Sequence, residues 1–188
     1  MRPDWHEYFM AVAKLISTRS TCNSRPTGAI LVRDRHILAT GYNGSPPGAP
    51  HCLGNFNPDG TPFCYSRHMG TGEREKYNYC RSSHAEANAV AQAARLGISV
   101  EGAAAYCTLA PCTICTKLLA AARITEVYFE RDYESSDRRR DEHWQSIYRA
   151  SGIKTWRKVS ISPGSLAAFS AAFAGITSER RLAPHGAE

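Results

Sequence analysis

Long apolar runs are missing from this sequence: no stretch approaches the roughly 20 apolar residues that a membrane helix needs. A secretion signal is also missing, because the chain opens with Asp4, Trp5, His6 and Glu7 where a basic and then apolar segment is required. No internal repeat is present. The 188 residues, 43% of them hydrophobic, are enough for one well-buried core. We therefore expect a cytoplasmic protein with one domain and no membrane partner.

The number of cysteines is odd, so they cannot all be paired in disulfides within one chain. Seven cysteines in a chain without an export signal predict metal ligands and free thiols, not a disulfide framework. The net charge of +6 suggests an anionic partner, and a charged surface or tail explains it nearly as well. Much of the excess lies in two arginine runs, Arg138, Arg139 and Arg140, and Arg180 and Arg181.

Two short motifs carry chemistry. His84 and Glu86 form a His-x-Glu motif, and Pro111, Cys112 and Cys115 form a Pro-Cys-x-x-Cys motif downstream. This combination, in this order, is the pattern of zinc-dependent nucleobase deaminases. Alone, the first motif is often only a helix cap, and the second can be a redox pair or half of a structural zinc site. Together they favour a catalytic zinc.

Both motifs are predicted to lie at helix starts. Ser83 is a favourable N-cap for the first helix, which Gly97 ends, so His84 and Glu86 fall in its opening turn. Pro111 suits the first position of the second helix.

The ligand set itself indicates catalysis. Two thiolates, from Cys112 and Cys115, and one neutral imidazole, from His84, make a three-ligand zinc site with an open fourth position. Helix N-termini stabilise the thiolate forms. Glu86 is only two residues from a ligand and is free to transfer protons.

The remaining pattern predicts an α/β protein. A helical crossover between the last two strands favours their parallel pairing, and Cys107 is interpreted as a small core residue. Strands are predicted over residues 28–33, 36–40, 103–109, 126–131 and 153–157, and further helices over 4–18, 112–123, 137–151 and 165–174.

Residues 41–82 form a long segment without helical or strand periodicity, rich in Gly, Pro and Asn. Such a segment needs something to order it, and a second, structural zinc would do so. The predicted ligands are Cys22, Cys52 and Cys80, with Cys64 as fourth ligand; His51 or His68 are alternatives to Cys64. The competing interpretation is that these are scattered thiols.

The chain resembles the deoxycytidylate (dCMP) deaminase family, within the cytidine-deaminase-like superfamily, from about Trp5 to Lys158. Beyond the metal motifs, the likeness rests on Cys22, the run Thr27-Gly28-Ala29, the run Gly41-Tyr42-Asn43-Gly44-Ser45-Pro46, the pair His51-Cys52, and Cys80. The resemblance implies a three-layer αβα fold with a five-stranded mixed sheet. It also implies hydrolysis of dCMP to dUMP, with zinc on His84, Cys112 and Cys115 and with Glu86 as proton shuttle.

The resemblance has further implications. It implies a homo-oligomer, often a hexamer, with an allosteric site activated by dCTP and inhibited by dTTP near Gly41, Tyr42, Asn43 and Gly44. A structural zinc in microbial members uses cysteines that match Cys22, Cys52 and Cys80. Two features depart from the family: the long segment from Leu53 to Arg81, and everything after Ser160. We therefore divide the chain into a deaminase domain, residues 1–160, and an Ala-rich helix with a tail, residues 161–188.

The substrate contacts follow from position. Arg25, Arg81 and Arg131 are the nearest cations for a 5′-phosphate. Ala85 is expected at the substrate because it lies between His84 and Glu86. Asn43 is a candidate for the ribose hydroxyl and Tyr133 for stacking on the substrate, and a structural role fits each equally well.

Three other functions compete with dCMP deamination. The substrate within the same class could be dCTP or a 5-substituted dCMP. A deaminase of single-stranded DNA or tRNA fits the positive charge, but the Gly-Tyr-Asn-Gly run and the Cys-rich segment argue against nucleic acid. An inactive, zinc-stabilised binding module is disfavoured because Glu86 and all three ligands are present.

Overall fold

The computed structural model describes residues 2–70, 79–133, 143, 146–148 and 150–175. The helices are α1 (Trp5–Ser17), α2 (Tyr65–His68), α3 (Ala85–Arg95), α4 (Thr113–Ala121) and α5 (Pro163–Phe173). The strands are β1 (Gly28–Arg33), β2 (His36–Tyr42), β3 (Ala104–Leu109), β4 (Glu126–Arg131) and β5 (Thr155–Lys158). None of the described helices combines the length and the apolar character that a bilayer crossing needs.

The five strands form one mixed sheet in the order β2-β1-β3-β4-β5. β1 is antiparallel to both β2 and β3, whereas β3 with β4 and β4 with β5 are parallel. The predicted five-stranded mixed sheet, with its last two strands parallel, is confirmed. Asp34 and Arg35 close the β1–β2 hairpin with φ angles of 52° and 64°, as a two-residue hairpin loop requires.

Helices cover both faces of the sheet, which confirms the three-layer αβα fold. On one face, Phe9 and Met10 of α1 pack against Ile30, Tyr106 and Tyr128. On the other, the alanines of α3 and Leu119 of α4 pack against residues that include Leu31, Cys107 and Val127. Side chains alternate along β3, so Tyr106 and Cys107 face opposite layers and Cys107 is a core residue, as predicted.

Helix α1 agrees with its sequence pattern. Asp4 caps the helix by accepting from the Glu7 amide at 2.9 Å, and Glu7 reaches back to the Asp4 amide. This reciprocal pair is the capping box that the Asp-x-x-Glu spacing predicts. The helix therefore begins and ends within one residue of its predicted limits.

Other limits differ from the predictions. β2 continues to Tyr42, and β5 lies at Thr155–Lys158 instead of residues 153–157 because its register follows β4. Helix α5 begins at Pro163, two residues early, because Ser162 caps it and proline suits the first turn. The predicted helix over residues 137–151 lies mostly outside the described residues; residues 143, 146–148 and 150 are helical. Most of the predicted tail also lies outside them.

The long segment after β2 is more ordered than predicted. It contains α2 and two isolated bridges, Gly44 with Ser83 and Phe56 with Pro62. The Asn23 amide nitrogen donates to the carbonyls of Cys52 at 2.6 Å, Phe63 at 3.0 Å and Asn55 at 3.1 Å. Hydrogen bonds to one side chain thus hold three points of this segment, which the sequence pattern did not indicate.

Candidate active site

Three potential ligands meet beside the N-termini of α3 and α4. His84 Nδ1 lies 3.4 Å from Cys112 Sγ and 3.4 Å from Cys115 Sγ. Among the described residues, these three side chains form the one set whose ligating atoms all lie within 4.8 Å of one another. The two motifs identified in the sequence are therefore adjacent in the fold.

The helix caps at this site differ from the prediction. His84 itself is the N-cap of α3, and Cys112 is the N-cap of α4, both with extended backbone. Ser83 and Pro111 each lie one residue before the cap. Neither His84 nor Cys112 makes a side-chain cap hydrogen bond, because both side chains turn toward the shared site instead.

The donor set fits a zinc ion. With Zn–S bonds of about 2.3 Å and Zn–N bonds of about 2.0 Å in tetrahedral geometry, sulfur and nitrogen ligands are expected about 3.5 Å apart. The observed 3.4 Å separations match this spacing. Three protein ligands also leave the fourth position for water or substrate, as in catalytic zinc sites.

The hydrogen bond between the two thiols shifts their pKa values in opposite directions. The hydrogen bond between Cys112 and Cys115 lowers the pKa of Cys112 and raises that of Cys115. Both sulfurs are buried, and His84 lies next to Cys112 and lowers its pKa further. The lowered pKa favours the thiolate form of Cys112, and a bound metal cation would favour deprotonation of Cys115 as well.

Glu86 lies in the first turn of α3 and is only 4% exposed. Burial raises the pKa of its carboxyl to about 7, and the His84 charge opposes this shift. Its carboxyl also contacts the Cys115 side chain. A buried carboxyl with a near-neutral pKa, in contact with the ligand set, suits proton transfer at neutral pH.

Helix α3 is fixed to the edge strand β2 by two side chains. The Thr40 amide donates to Gln92 Oε1 at 2.8 Å, and Asn88 Nδ2 donates to the Tyr42 carbonyl at 2.8 Å. Gly41, between these two points, lies so close to α3 that a Cβ atom there would be 2.1 Å from the Ala85 carbonyl oxygen. The helix that carries His84 and Glu86 is therefore positioned by direct backbone packing.

A cavity of about 230 Å³ opens at this site, here called the central cavity. His84, Glu86 and Cys112 line it. Most of the proposed substrate residues also line it: Arg25, Asn43, Ala85 and Tyr133. Arg67, which no sequence motif singled out, also lines the cavity; it lies between the predicted zinc ligands Cys64 and Cys80 and donates to Ser24 Oγ at 3.0 Å.

Asn43 is buried and anchors the segment before β1. Its Oδ1 accepts from Ser20 Oγ at 2.6 Å and from the Thr27 amide at 2.8 Å, and its Nδ2 donates to the Arg25 carbonyl at 2.9 Å. Asn43 therefore fixes the backbone that presents Arg25 to the central cavity. This structural role stands beside its predicted role at the ribose.

The three arginines predicted to bind the 5′-phosphate lie in different surroundings. The Arg25 guanidinium lies 6.0 Å from the Tyr133 ring centroid at the central cavity. Arg131 lines an adjoining cavity, and its Nε donates to the Thr108 carbonyl at 3.4 Å. Arg81 lies 3.7 Å from the Tyr65 ring centroid and is not among the residues that line either cavity.

The four cysteines predicted to hold a second zinc come from separate segments and converge. Burial raises the pKa of Cys52, and the neighbouring thiols of Cys64, Cys22 and Cys80 raise it further. No three of these four cysteines have sulfurs within 4.8 Å of one another. The ligating atoms of His84, Cys112 and Cys115, here called the His84 group, do lie that close. His51 is exposed, and His68 packs against Phe63. The second metal stays a prediction.

Comparison with known proteins identifies the family. The profile described as the cytidine and deoxycytidylate deaminase zinc-binding region matches residues 3–131. The chain belongs to this deaminase family. The matched region includes His84, Cys112 and Cys115, the three residues that form the candidate metal site.

Individual relatives agree. The deoxycytidylate deaminase of Schizosaccharomyces pombe is 35% identical over 153 residues, which cover 81% of this chain and 44% of the relative. The deoxycytidylate deaminase of Mycobacterium phage D29 is 35% identical over 136 residues, or 70% of this chain and 98% of the relative. The chain thus spans about half the length of the fungal relative and nearly all of the phage one.

A solved structure shares the fold. The dCMP deaminase of cyanophage S-TIM5, in complex with dCMP and dUMP, has a TM-score of 0.61 and 30% sequence identity. The similarity covers 84% of this chain and 98% of the cyanophage protein. The resemblance inferred from the motifs is confirmed at the level of family and fold.

Proposed function

We propose that this protein is a zinc-dependent hydrolase that converts dCMP to dUMP and ammonia. The observation that carries the proposal is the position of buried Glu86 against the group of His84, Cys112 and Cys115, beside the central cavity. The relative from S. pombe, the phage D29 relative and the cyanophage neighbour, all named as dCMP deaminases, support this choice of substrate.

Zinc, held by His84, Cys112 and Cys115, would supply Lewis-acid activation of the attacking water. Glu86 moves the protons: it accepts one from the attacking water and gives it to the pyrimidine N3. It then accepts the remaining water proton from the oxygen now bonded to C4 and gives it to the departing amine, which leaves as ammonia. Its burial keeps this carboxyl away from bulk solvent, so the proton stays at the site between steps. The carbon–nitrogen bond at C4 breaks, and a carbon–oxygen bond replaces it.

The other residues orient the nucleotide in this proposal. Ala85 lies under the base, Asn43 contacts the ribose, and Tyr133 packs on the substrate at the cavity wall. Arg25, which lines both cavities, and Arg131 bind the 5′-phosphate, for which a guanidinium is well suited.

A substrate panel tests the proposal. Ammonia release is measured for dCMP, dCTP, 5-methyl-dCMP, deoxycytidine and a single-stranded oligonucleotide. We expect dCMP to give the highest kcat/KM. Preference for dCTP or 5-methyl-dCMP would redefine the substrate, and absence of ammonia from every compound would reject the enzyme. A preference for the oligonucleotide that falls steeply between about 50 and 200 mM salt would indicate a polynucleotide deaminase.

A second, structural zinc is part of the proposal, with Cys22, Cys52, Cys64 and Cys80 as ligands. Metal analysis of the purified protein is expected to give close to two zinc ions per chain. In Cys22→Ser, we expect one zinc and a less stable fold, because the segment loses its cross-link. One zinc per chain in the unmodified protein, with Cys22→Ser fully stable, would show that these cysteines are bystanders.

We also propose a homo-oligomer, with a hexamer favoured, and an allosteric site for dCTP and dTTP near Gly41, Tyr42, Asn43 and Gly44. Exposed apolar side chains on α1, α4 and α5 support association, among them Leu15, Ile114 and Leu166. Sedimentation at micromolar protein is expected to show an oligomer. A monomer of about 20.7 kDa, unchanged by dCTP, would contradict both assembly and allostery.

For domain organisation, we propose that residues 1–160 form the deaminase domain and residues 161–188 an appended helix and tail. Helix α5 is held to α1 by Glu7, whose carboxylate accepts from the Ser162 amide at 2.7 Å and from Ser165 Oγ at 2.6 Å. These hydrogen bonds lower the pKa of the Glu7 carboxyl to about 2, and the bond from Ser165 has the largest effect. Helix α5 is therefore held on the α1 side of the sheet, opposite the face that carries α3 and α4.

A further inference from the structure

A second cavity adjoins the central cavity and shares Arg25 and Leu109 with it. Its remaining lining residues are Arg131, Asp132 and Lys158. Of these, Asp132 and Lys158 have no role in the catalysis or binding described above. We call this set the cationic cavity.

The sheet topology brings these charges together. β4 and β5 are parallel neighbours, so their carboxyl ends, at Arg131 and Lys158, lie at the same edge of the sheet. β1 runs antiparallel to β3, so the segment before β1, which carries Arg25, enters at that edge too. Three cations from three separate segments therefore meet beside the reaction site.

The ion pair in this cavity is open to exchange. Lys158 Nζ lies 2.6 Å from Asp132 Oδ2, and the two side chains are 53% and 67% exposed. An ion pair this exposed contributes little to stability, so Lys158 can turn toward an entering anion at small cost. Arg131 is held in place by its hydrogen bond to the Thr108 carbonyl.

The charge of the cavity matches one phosphate group. Arg25, Arg131 and Lys158 contribute three positive charges and Asp132 one negative charge, which leaves two net positive charges. A phosphate monoester carries about −1.5 to −2 at pH 7. A second phosphate would add negative charge beside the Asp132 carboxylate, which repels it.

We propose that Lys158 binds the 5′-phosphate of the substrate together with Arg25 and Arg131, and that Asp132 restricts the site to nucleoside monophosphates. This inference rests on the proposed function and specifies the substrate class of that site. Lys158 supplies attraction to the first phosphate, and Asp132 supplies repulsion against a second one.

The first experiment removes the repulsion. In Asp132→Asn, kcat/KM for dCDP relative to dCMP is expected to rise about fivefold, because the carboxylate that repels the second phosphate has lost its negative charge. Calorimetric binding of dUDP relative to dUMP is expected to shift equally. Diphosphates are used because they are not the proposed triphosphate effectors.

A matched control is available in the same strand region. Glu130→Gln also removes one carboxylate from an ion pair with a lysine, but Glu130 pairs with Lys14 of α1 on the other face of the sheet. The ratio of dUDP to dUMP binding is expected to be unchanged in this variant. An equal shift in both variants would mean that overall charge, not Asp132, sets the ratio, and would overturn the inference.

The second experiment removes the attraction. Lys158→Gln is expected to weaken dUMP binding about tenfold, as for loss of one charge-assisted hydrogen bond, with deoxyuridine binding unchanged. Lys14→Gln serves as the control and is expected to leave both constants unchanged. Equal dUMP affinity in Lys158→Gln and the unmodified protein would remove Lys158 from the phosphate site.

The outcomes separate this inference from the proposed function. If the unmodified protein releases no ammonia from dCMP but Lys158→Gln still loses dUMP affinity, the reaction is wrong and the phosphate site stands. If dCMP is deaminated normally and neither Asp132→Asn nor Lys158→Gln changes the preference for monophosphates, the inference fails and the enzyme stands.

Discussion

Glu86→Gln is expected to lower kcat for dCMP by about 10³-fold while the zinc at the His84 group stays bound. Glutamine matches the size of the buried glutamate and leaves all three ligands in place, so the metal site keeps its shape. The glutamine amide cannot act as an acid or a base at neutral pH. The loss therefore falls on the chemical step, and KM is expected to change much less.

The measurement combines ammonia release with metal analysis of the same samples. Glu101→Gln is the control, because it makes the same chemical change at an exposed residue before β3 and is expected to keep full activity. A Glu86→Gln protein with near-normal turnover would contradict the assignment of Glu86. Loss of zinc together with activity would show that Glu86 maintains the metal site instead.

The catalytic group could be predicted from the sequence because its chemistry is local. His84 and Glu86 lie in one helix start, as do Cys112 and Cys115, so spacing along the chain nearly determines spacing in the fold. The prediction was wrong by one residue at the start of α3, whose cap is His84 and not Ser83, and by two at the start of α4, whose first residue is Thr113 and not Pro111. Sequence preference favours Ser83 as a cap, but the ligand direction requires that His84 itself occupy that position.

The contacts that the sequence could not predict are those between distant segments. Asn23 holds three carbonyls that lie 29, 32 and 40 residues away, and Lys158 meets Asp132 across 26 residues. No local pattern distinguishes these side chains from other polar residues in loops. They become visible only when the sheet order has placed the strand ends together.

Gly41 shows how one motif carries a second meaning. The Gly-Tyr-Asn-Gly run was interpreted through the family resemblance as part of an allosteric site. The structure adds a steric reason for its first glycine, because the backbone of β2 touches the backbone of α3 there. Whether or not an effector binds nearby, a side chain at Gly41 acts directly on the catalytic helix.

Gly41→Ala is expected to destabilise the fold by about 3 kcal/mol and to reduce activity severely. The added Cβ would lie 2.1 Å from the Ala85 carbonyl oxygen and 2.5 Å from the Ala89 amide nitrogen, and neither backbone atom can rotate away. Helix α3 must move off β2, which also strains the hydrogen bonds of Asn88 and Gln92. Urea unfolding measures the free-energy change.

The same displacement reaches the metal, because Ala85 lies between His84 and Glu86. Gly41→Ala is therefore expected to lose zinc as well as stability, in contrast to Glu86→Gln, which keeps both. Gly164→Ala is the control: a methyl group there has no heavy atom within 4 Å, and alanine favours the helix that contains it. If Gly41→Ala unfolded at the same urea concentration as Gly164→Ala and kept its zinc, α3 would have to tolerate a shift away from β2. The position of His84 and Glu86 would then depend on the metal ligands rather than on the packing of α3 against the sheet.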